Sequence, residues 1–229
     1  MTYNFIEGEV LLINKPLTWT SFNVVKKIEI SLRKHLGIKK IKVGHAGTLD
    51  PLASGLLIVC TGKATKGIHL IQGQEKEYIA GMLLGKTTPS FDLETDYDKD
   101  YPTGHINKKM LEDVLQSFVG ESEQVPPVFS AKFHEGKRAY EYARKGQVIE
   151  LKPSTIFISL IELILYEPPN VKIRVKCSKG TYIRSLIRDI GIRLESGACM
   201  ISLERTSIGS YSLNNALTIE EFENKLALL

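Results

Sequence analysis

Between Gly44 and Gly55 the chain reads Gly-His-Ala-Gly-Thr-Leu-Asp-Pro-Leu-Ala-Ser-Gly, with three glycines, one proline, one carboxylate at Asp50 and one imidazole at His45. Glycines let a backbone turn sharply and approach a ligand closely. The Asp50-Pro51 step disfavours helix at Asp50 and favours an extended or turn conformation. A lone carboxylate on such a loop can act as a nucleophile or stabilise developing positive charge. It can equally cap the turn it sits in. The residue types alone leave both readings open.

Other chemistries find less support. Thr61-Gly62-Lys63-Ala64-Thr65 resembles the end of a phosphate-binding loop, but Leu57 stands where the first glycine belongs and Ala64 replaces the magnesium-binding hydroxyl. Cys60, Cys177 and Cys199 are odd in number and far apart, and the five histidines form no metal-binding pair. Neither a disulfide framework nor a metal site is expected, and the thiols read as reduced and buried.

The elements that must position Asp50 can be read from periodicity. Val10 to Asn14 predicts a short buried strand ended by Pro16. Val25, Ile28, Leu32 and Leu36 recur at helical spacing after Thr20 or Ser21 as N-cap, up to Gly37. Leu56 to Cys60 and Tyr78 to Leu84 predict strands on either side of the 60s, and a long polar loop runs on to His105. Leu111, Val114, Leu115 and Phe118 mark a helix, with a shorter one at 137–145. Strands follow at 155–166 and 171–177. In the second, Val171, Ile173, Val175 and Cys177 face one way and Lys172, Arg174 and Lys176 the other. Ile183, Leu186, Ile187, Ile190 and Leu194 predict an amphipathic helix, and Thr218 with Glu221 a capping box. The irregular interleaving predicts an α+β fold with a mixed, largely antiparallel sheet flanked by helices. With no linker or repeat visible, residues 1–229 read as a single domain.

Net charge is only +4, yet the basic residues cluster. Residues 24–42 hold seven Lys or Arg against Glu29 alone, and 171–193 hold seven against Asp189 alone, while Asp92, Glu94, Asp96, Asp98 and Asp100 gather elsewhere. Such segregation suits a polyanionic partner. No apolar run approaches the roughly 20 residues that span a bilayer, and the N-terminus lacks the pattern of a signal peptide. A cytoplasmic protein is expected.

The Gly44–Gly55 segment resembles the active-site motif of the TruB-like tRNA pseudouridine-55 synthases. Further blocks follow the family order: Asn14-Lys15-Pro16 with Thr20-Ser21, Lys76-Glu77-Tyr78, Gln124-Val125-Pro126-Pro127 with Ser130-Ala131, and Gly136 to Glu141. Cys177-Ser178-Lys179-Gly180-Thr181-Tyr182-Ile183-Arg184 and Leu203-Glu204-Arg205-Thr206 complete them. The resemblance implies isomerisation of uridine 55 in the tRNA T-loop by a pseudouridine synthase-like fold, without metal or cofactor. It implies Asp50 as catalytic carboxylate, Arg184 as its partner and Tyr78 stacked on the extruded uracil. Tyr182 and Leu203 would line the base pocket, and His45 would contact RNA near the vacated stack. Lys172, Arg174 and Arg188 are candidate contacts to the T-arm stem-loop, with no membrane and no obligate protein partner. Two departures stand out. Phe133 occupies a position where the family has lysine, with Lys132 just before it, and the separate C-terminal RNA-binding domain of longer members is not expected.

These residue types suit the chemistry. Pseudouridine formation breaks N1–C1′, rotates the uracil and joins C5 to C1′, with no redox change. A buried base must be extruded, which needs a stacking partner and something to fill the gap. An RNA chaperone without chemistry would not need a carboxylate near phosphates. An N-glycoside hydrolase would need a second carboxylate as base, and none is evident in the sequence.

Overall fold

The structure, a computed structural model, describes residues 3–229. In chain order it forms β1 (Val10–Lys15), α1 (Ser21–Leu36), β2 (Val43–His45), β3 (Ala53–Thr61), a 3-10 turn at Gly62–Gly67, α2 (Ile68–Gln72) and β4 (Lys76–Leu84). Next come β5 (Lys86–Thr87), β6 (Lys99–Asp100), α3 (Lys108–Gln116), β7 (Gly120–Gln124), β8 (Phe133–His134), β9 (Lys137–Arg138) and α4 (Ala139–Ala143). β10 (Ser154–Glu167), β11 (Asn170–Cys177), α5 (Ile183–Arg193), β12 (Ala198–Ile208), β13 (Tyr211–Ser212) and α6 (Ile219–Ala227) complete it. The chain divides into two compact units, one comprising the segment up to Tyr78 with Leu203–Leu229, the other Ile79–Ser202.

In the first unit β3 is the organising strand. β1 runs antiparallel along one edge, with Lys15 opposite Gly55. The other edge is shared: β2 pairs antiparallel near its end, with His45 opposite Val59, and β12 pairs parallel near its start, with Leu203 opposite Ala53 and Arg205 opposite Gly55. The Asp50 loop leaves the sheet where β2 gives way to β12. Both faces of β3 are covered, which is why Leu56 to Cys60 is continuously apolar rather than alternating. Leu57 and Val59 pack with Leu11 and Ile13 of β1, Val24, Ile28 and Leu32 of α1, and Phe222 and Leu226 of α6. Leu56, Ile58 and Cys60 pack on the other side with Ala46, Ile71 and Ile208. Each fully buried Leu or Ile there contributes roughly 1.5–3 kcal/mol. Helix α1 is capped at Thr20 through a reciprocal box with Asn23, and ends at Gly37 in the left-handed conformation, φ 64°.

The second unit contains the strand order β4-β11-β10-β7, with β10 antiparallel to both β11 and β7. β11 alternates as its sequence predicts, with Val171, Ile173, Val175 and Cys177 buried. α3 packs against β10 and α5. The polar stretch after β4 pairs briefly as β5 with β6. The result is the mixed, largely antiparallel α+β arrangement that the sequence predicts. Among the described residues no helix is long and apolar enough to cross a membrane.

Candidate active site

The Asp50 loop is held from three directions within the first unit. Ser21, buried at the start of α1, accepts from the Leu49 N–H at 2.9 Å and donates back to the Leu49 carbonyl at 3.2 Å. The Thr18 N–H donates to the Pro51 carbonyl at 2.8 Å. Thr18 reaches that position with φ 70°, a left-handed conformation that costs a β-branched residue on the order of 1–3 kcal/mol. The third restraint is Arg205, only 1% exposed. Its Nε donates to the Leu56 carbonyl at 2.8 Å, Nη2 to Gly47 at 3.0 Å and Nη1 to Thr48 at 3.4 Å. Gly55 makes room for the backbone of Arg205. A Cβ on Gly55 would lie 2.5 Å from the Arg205 carbonyl oxygen, and Gly55 itself has φ 100°.

Lys15, on the inward face of β1, is wholly buried and donates to the carbonyls of Pro16 at 2.9 Å and Trp19 at 2.6 Å. Burial pushes its pKa down from 10.5 to about 8; the Asp50 charge pulls it back up, and the Arg205 guanidinium pushes it down further. The attraction between Lys15 and Asp50 is reciprocal, so the lysine cation favours the ionised carboxylate. His45 is partly buried, and burial first, then Arg205, hold its pKa below 6.5, with the Gly47 backbone acting the other way. At neutral pH it is therefore an uncharged imidazole, and its Nδ1 is buried without a hydrogen-bond partner. Tyr78 on β4 and Leu203 on β12 are both buried and belong to the same unit.

In the second unit, Tyr182, Arg184 and Arg188 lie on or beside the first turns of α5. Arg184 is buried rather than solvated. Its Nε lies 3.4 Å from Asp92 Oδ2, and Nη1 and Nη2 donate to the carbonyls of Ser90 at 3.3 Å and Phe129 at 3.0 Å. Gln124 grips the Tyr182 backbone through both ends of its amide, accepting from the N–H at 2.8 Å and donating to the carbonyl at 3.1 Å. Arg188 pairs with Asp189 at 2.7 Å and lies 4.8 Å from the Phe91 ring centre. Lys172 and Arg174 sit apart from these on β11, and Arg174 pairs across to Glu162 on β10 at 2.9 Å. Phe133 is 62% exposed and carries the Arg138 guanidinium 3.8 Å over its ring, while Lys132 Nζ donates to Ser154 Oγ at 2.7 Å.

In the sequence, Lys15, Arg205, Ser21 and Gln124 stand within motif blocks without evident roles, and Asp92 lies merely in an acidic run. Ser21 and Arg205 hold the backbone of the Asp50 loop, Gln124 holds Tyr182, Asp92 pairs with Arg184, and Lys15 bears on Asp50 through its charge. The Gly62 turn does not cradle phosphate: its N–H donates to Lys42 and that of Lys63 to Glu7. Among the described residues no cluster of His, Cys, Asp or Glu could hold a metal.

Comparison with known proteins adds a lineage to this geometry. A family model described as TruB family pseudouridylate synthase (N terminal domain) matches residues 33–183, and one described as tRNA pseudouridylate synthase B C-terminal domain matches residues 184–229. A protein of Parabacteroides distasonis named tRNA pseudouridine synthase B is 58% identical over 97% of this chain and 95% of its own length. One of the same name from Flavobacterium johnsoniae is 49% identical, covering 97% of each chain. Among solved structures, a Cbf5-Nop10-Gar1 complex contains a chain with 30% identity and a TM-score of 0.71 over 96% of this chain. An H/ACA RNP bound to a substrate RNA containing 2'-deoxyuridine gives 29% and 0.69 over 96%. The present chain spans about half the length of these two structural relatives, 54% and 53%.

Proposed function

Since this chain belongs to the TruB family of pseudouridylate synthases, we propose that it isomerises the uridine at position 55 in the T-loop of tRNA, with Asp50 as the catalytic carboxylate. As a pseudouridine synthase it is an isomerase. The tRNA substrate is inferred from the names of its relatives. The observation that carries the assignment of Asp50 is the way its loop is built. Ser21, Thr18 and Arg205 fix the backbone on both sides of it, and the Lys15 cation favours its ionised form. A mere turn-capping aspartate would need neither the buried cations nor the restraints.

In this reading the target uridine is swung out of the T-loop, and Tyr78 stacks on the extruded uracil, an interaction that contributes roughly 1–3 kcal/mol. The neutral imidazole of His45 contacts RNA without adding charge. Asp50 acts on the nucleoside as nucleophile or as stabiliser of charge at C1′. The N1–C1′ bond breaks, C5 bonds to C1′, the proton on C5 is lost to solvent, and N1 takes one up in its place. Tyr182, Leu203 and Arg184 take their roles at the base and beside the reaction from the family resemblance. Lys172, Arg174 and Arg188 are read as phosphate contacts.

The test is incubation with tRNA whose uridines carry tritium at C5. Wild-type protein should release tritium to water and yield a nucleoside of unchanged mass. Asp50→Asn should release none above background while binding tRNA within a few-fold, since the amide keeps the shape of the loop. Turnover by a clean Asp50→Asn preparation removes the carboxylate assignment. Free uracil as product would indicate glycoside hydrolysis instead. The same assay on an isolated T-arm stem-loop tests the T-loop placement, and an inert arm beside a reactive whole tRNA would overturn it.

A further inference from the structure

Arg205 poses an energetic problem that the loop explains. It lies on the inward face of β12, and among the described residues no carboxylate comes within ion-pair distance of it. Removing a cation from water without a countercharge costs several kcal/mol, and a well-packed apolar side chain at such a site is often as stable or more so. Stability of the strand therefore gives no reason for an arginine there. What the position does require is donors. The carbonyls of Gly47 and Thr48 lie in the turn before Asp50 and that of Leu56 lies beyond it, and all three point at one place. A guanidinium supplies five N–H groups in a rigid planar fork, whereas a lysine ammonium radiates its donors from a single nitrogen.

We infer that Arg205 is a positioning residue for the isomerisation: its fork ties the two arms of the Asp50 loop together and so fixes where the carboxylate meets the substrate. This rests on Asp50 being the catalytic group. The fork grips backbone, which no side-chain change within the loop can replace. Gly55 belongs to the same device, because only a glycine lets β3 come this close to the Arg205 backbone. The charge left over is not idle, since it bears on both Lys15 and His45 across the same loop.

The experiment compares wild type, Arg205→Lys, Arg205→Gln and Asp50→Asn as full chains, each checked for folding by thermal melt. Single-turnover tritium release and tRNA binding are measured separately. A displacement of about 1 Å at reacting atoms costs on the order of 100-fold in rate. Arg205→Lys keeps the charge and loses the fork, so it should slow the bound reaction by about that factor with Kd for tRNA within roughly threefold of wild type. A purely structural arginine would instead lower the melting temperature and leave the rate per folded molecule unchanged, and that result overturns the inference. If neither variant folds, a backbone ester between Gly47 and Thr48, made with the α-hydroxy analogue of threonine, carries the test. It weakens the Gly47 carbonyl as acceptor and removes an N–H that has no partner among the described residues. With Arg205 intact, about tenfold slower release at unchanged Kd is expected, and an unchanged rate overturns the inference. Asp50→Asn separates the two levels. If it is active, the reading of the function fails. If it is dead while Arg205→Lys runs at the wild-type rate, only the role of Arg205 fails.

Discussion

Arg205 in the first unit and Arg184 in the second are both buried, 1% and 3% exposed, and both donate to backbone carbonyls. They differ in countercharge. Arg184 has the Asp92 carboxylate 3.4 Å from its Nε, so within its own unit much of its field closes on that partner. Arg205 has carbonyl dipoles alone, and in a medium of low dielectric an unpaired cation acts over several ångströms. Burial does most to lower the proton affinity of Lys15 and His45, and the Arg205 charge lowers both further. One unit thus stores its buried arginine as an ion pair. The other arranges two cations, Arg205 and Lys15, around a loop that carries one carboxylate. The difference is between an arginine whose charge has a carboxylate beside it in its own unit and one whose charge is left to bear on Lys15 and His45.

Breaking the pair should have the largest effect. Asp92→Asn keeps the Oδ1 acceptor for the Glu94 N–H, which donates at 3.0 Å, and puts an uncharged NH2 group, which cannot accept, in place of the Oδ2 that faces Arg184. Arg184 would then be buried beside a neutral amide. Removing one partner of a buried ion pair typically costs about 3–5 kcal/mol, and urea unfolding at neutral pH should show a loss near the lower end of that range. Tritium release should fall as well, because Arg184 is assigned to the reaction. A loss below about 1 kcal/mol would mean that Arg184 depends on other groups, and the contrast with Arg205 would weaken.

How far the sequence revealed this contrast follows from the same physics. Elements whose inward positions are apolar, or apolar after the first turn, were legible: the Leu56 to Cys60 run, the Val171 to Cys177 alternation, and α1 with its Thr20 and Gly37 signals. β12 was not, because Arg205 occupies one of its inward positions and turns Leu203-Glu204-Arg205-Thr206 into a polar string. Lys15 does the same at the end of β1, where the predicted strand stopped one residue short. β7, Gly-Glu-Ser-Glu-Gln, offers no apolar pattern at all, yet its last residue anchors Tyr182. Asp50 and its glycines stood out because turn chemistry is local. The partners that hold the loop are Ser21 and Arg205, 28 residues from Leu49 and 158 from Gly47, and nothing local announces such distances.

A smaller effect sharpens the other side of the comparison through pH. Lys15 binds its proton less tightly in the folded protein, pKa about 8, than in the unfolded chain, near 10.5. Between those values the unfolded chain holds more protons, so stability rises with pH across that window. Below about 8 the lysine is charged in both states and its burial penalty is fully present. In Lys15→Met the contribution is absent at every pH. The stability of wild type relative to the variant should therefore improve by up to about 3 kcal/mol between pH 8 and 10.5, read by urea unfolding at several pH values. A difference that does not change with pH would show that Lys15 titrates normally and that the first unit does not confine a second cation.

The smallest effect carries the same contrast to the surface. Lys172 and Arg174 are neighbours on the basic face of β11, but Arg174 has Glu162 at 2.9 Å and Lys172 makes no ion pair among the described residues. If both meet RNA phosphates, the unpaired lysine should matter more, since the arginine must first give up part of its interaction with Glu162. Each phosphate left without its cation makes the slope of log affinity against log salt shallower by about 0.7–0.9. Lys172→Glu should therefore weaken tRNA binding several-fold at low salt, with the deficit shrinking as salt rises. Arg174→Glu should weaken it less, even though it also sets two glutamates side by side. Neither should change the single-turnover rate of bound tRNA, because both are read as phosphate contacts and neither is assigned to the extruded base. An equal or larger effect at Arg174 would mean that its pair with Glu162 opens when RNA binds, and that a surface countercharge does not predict which cation the substrate uses.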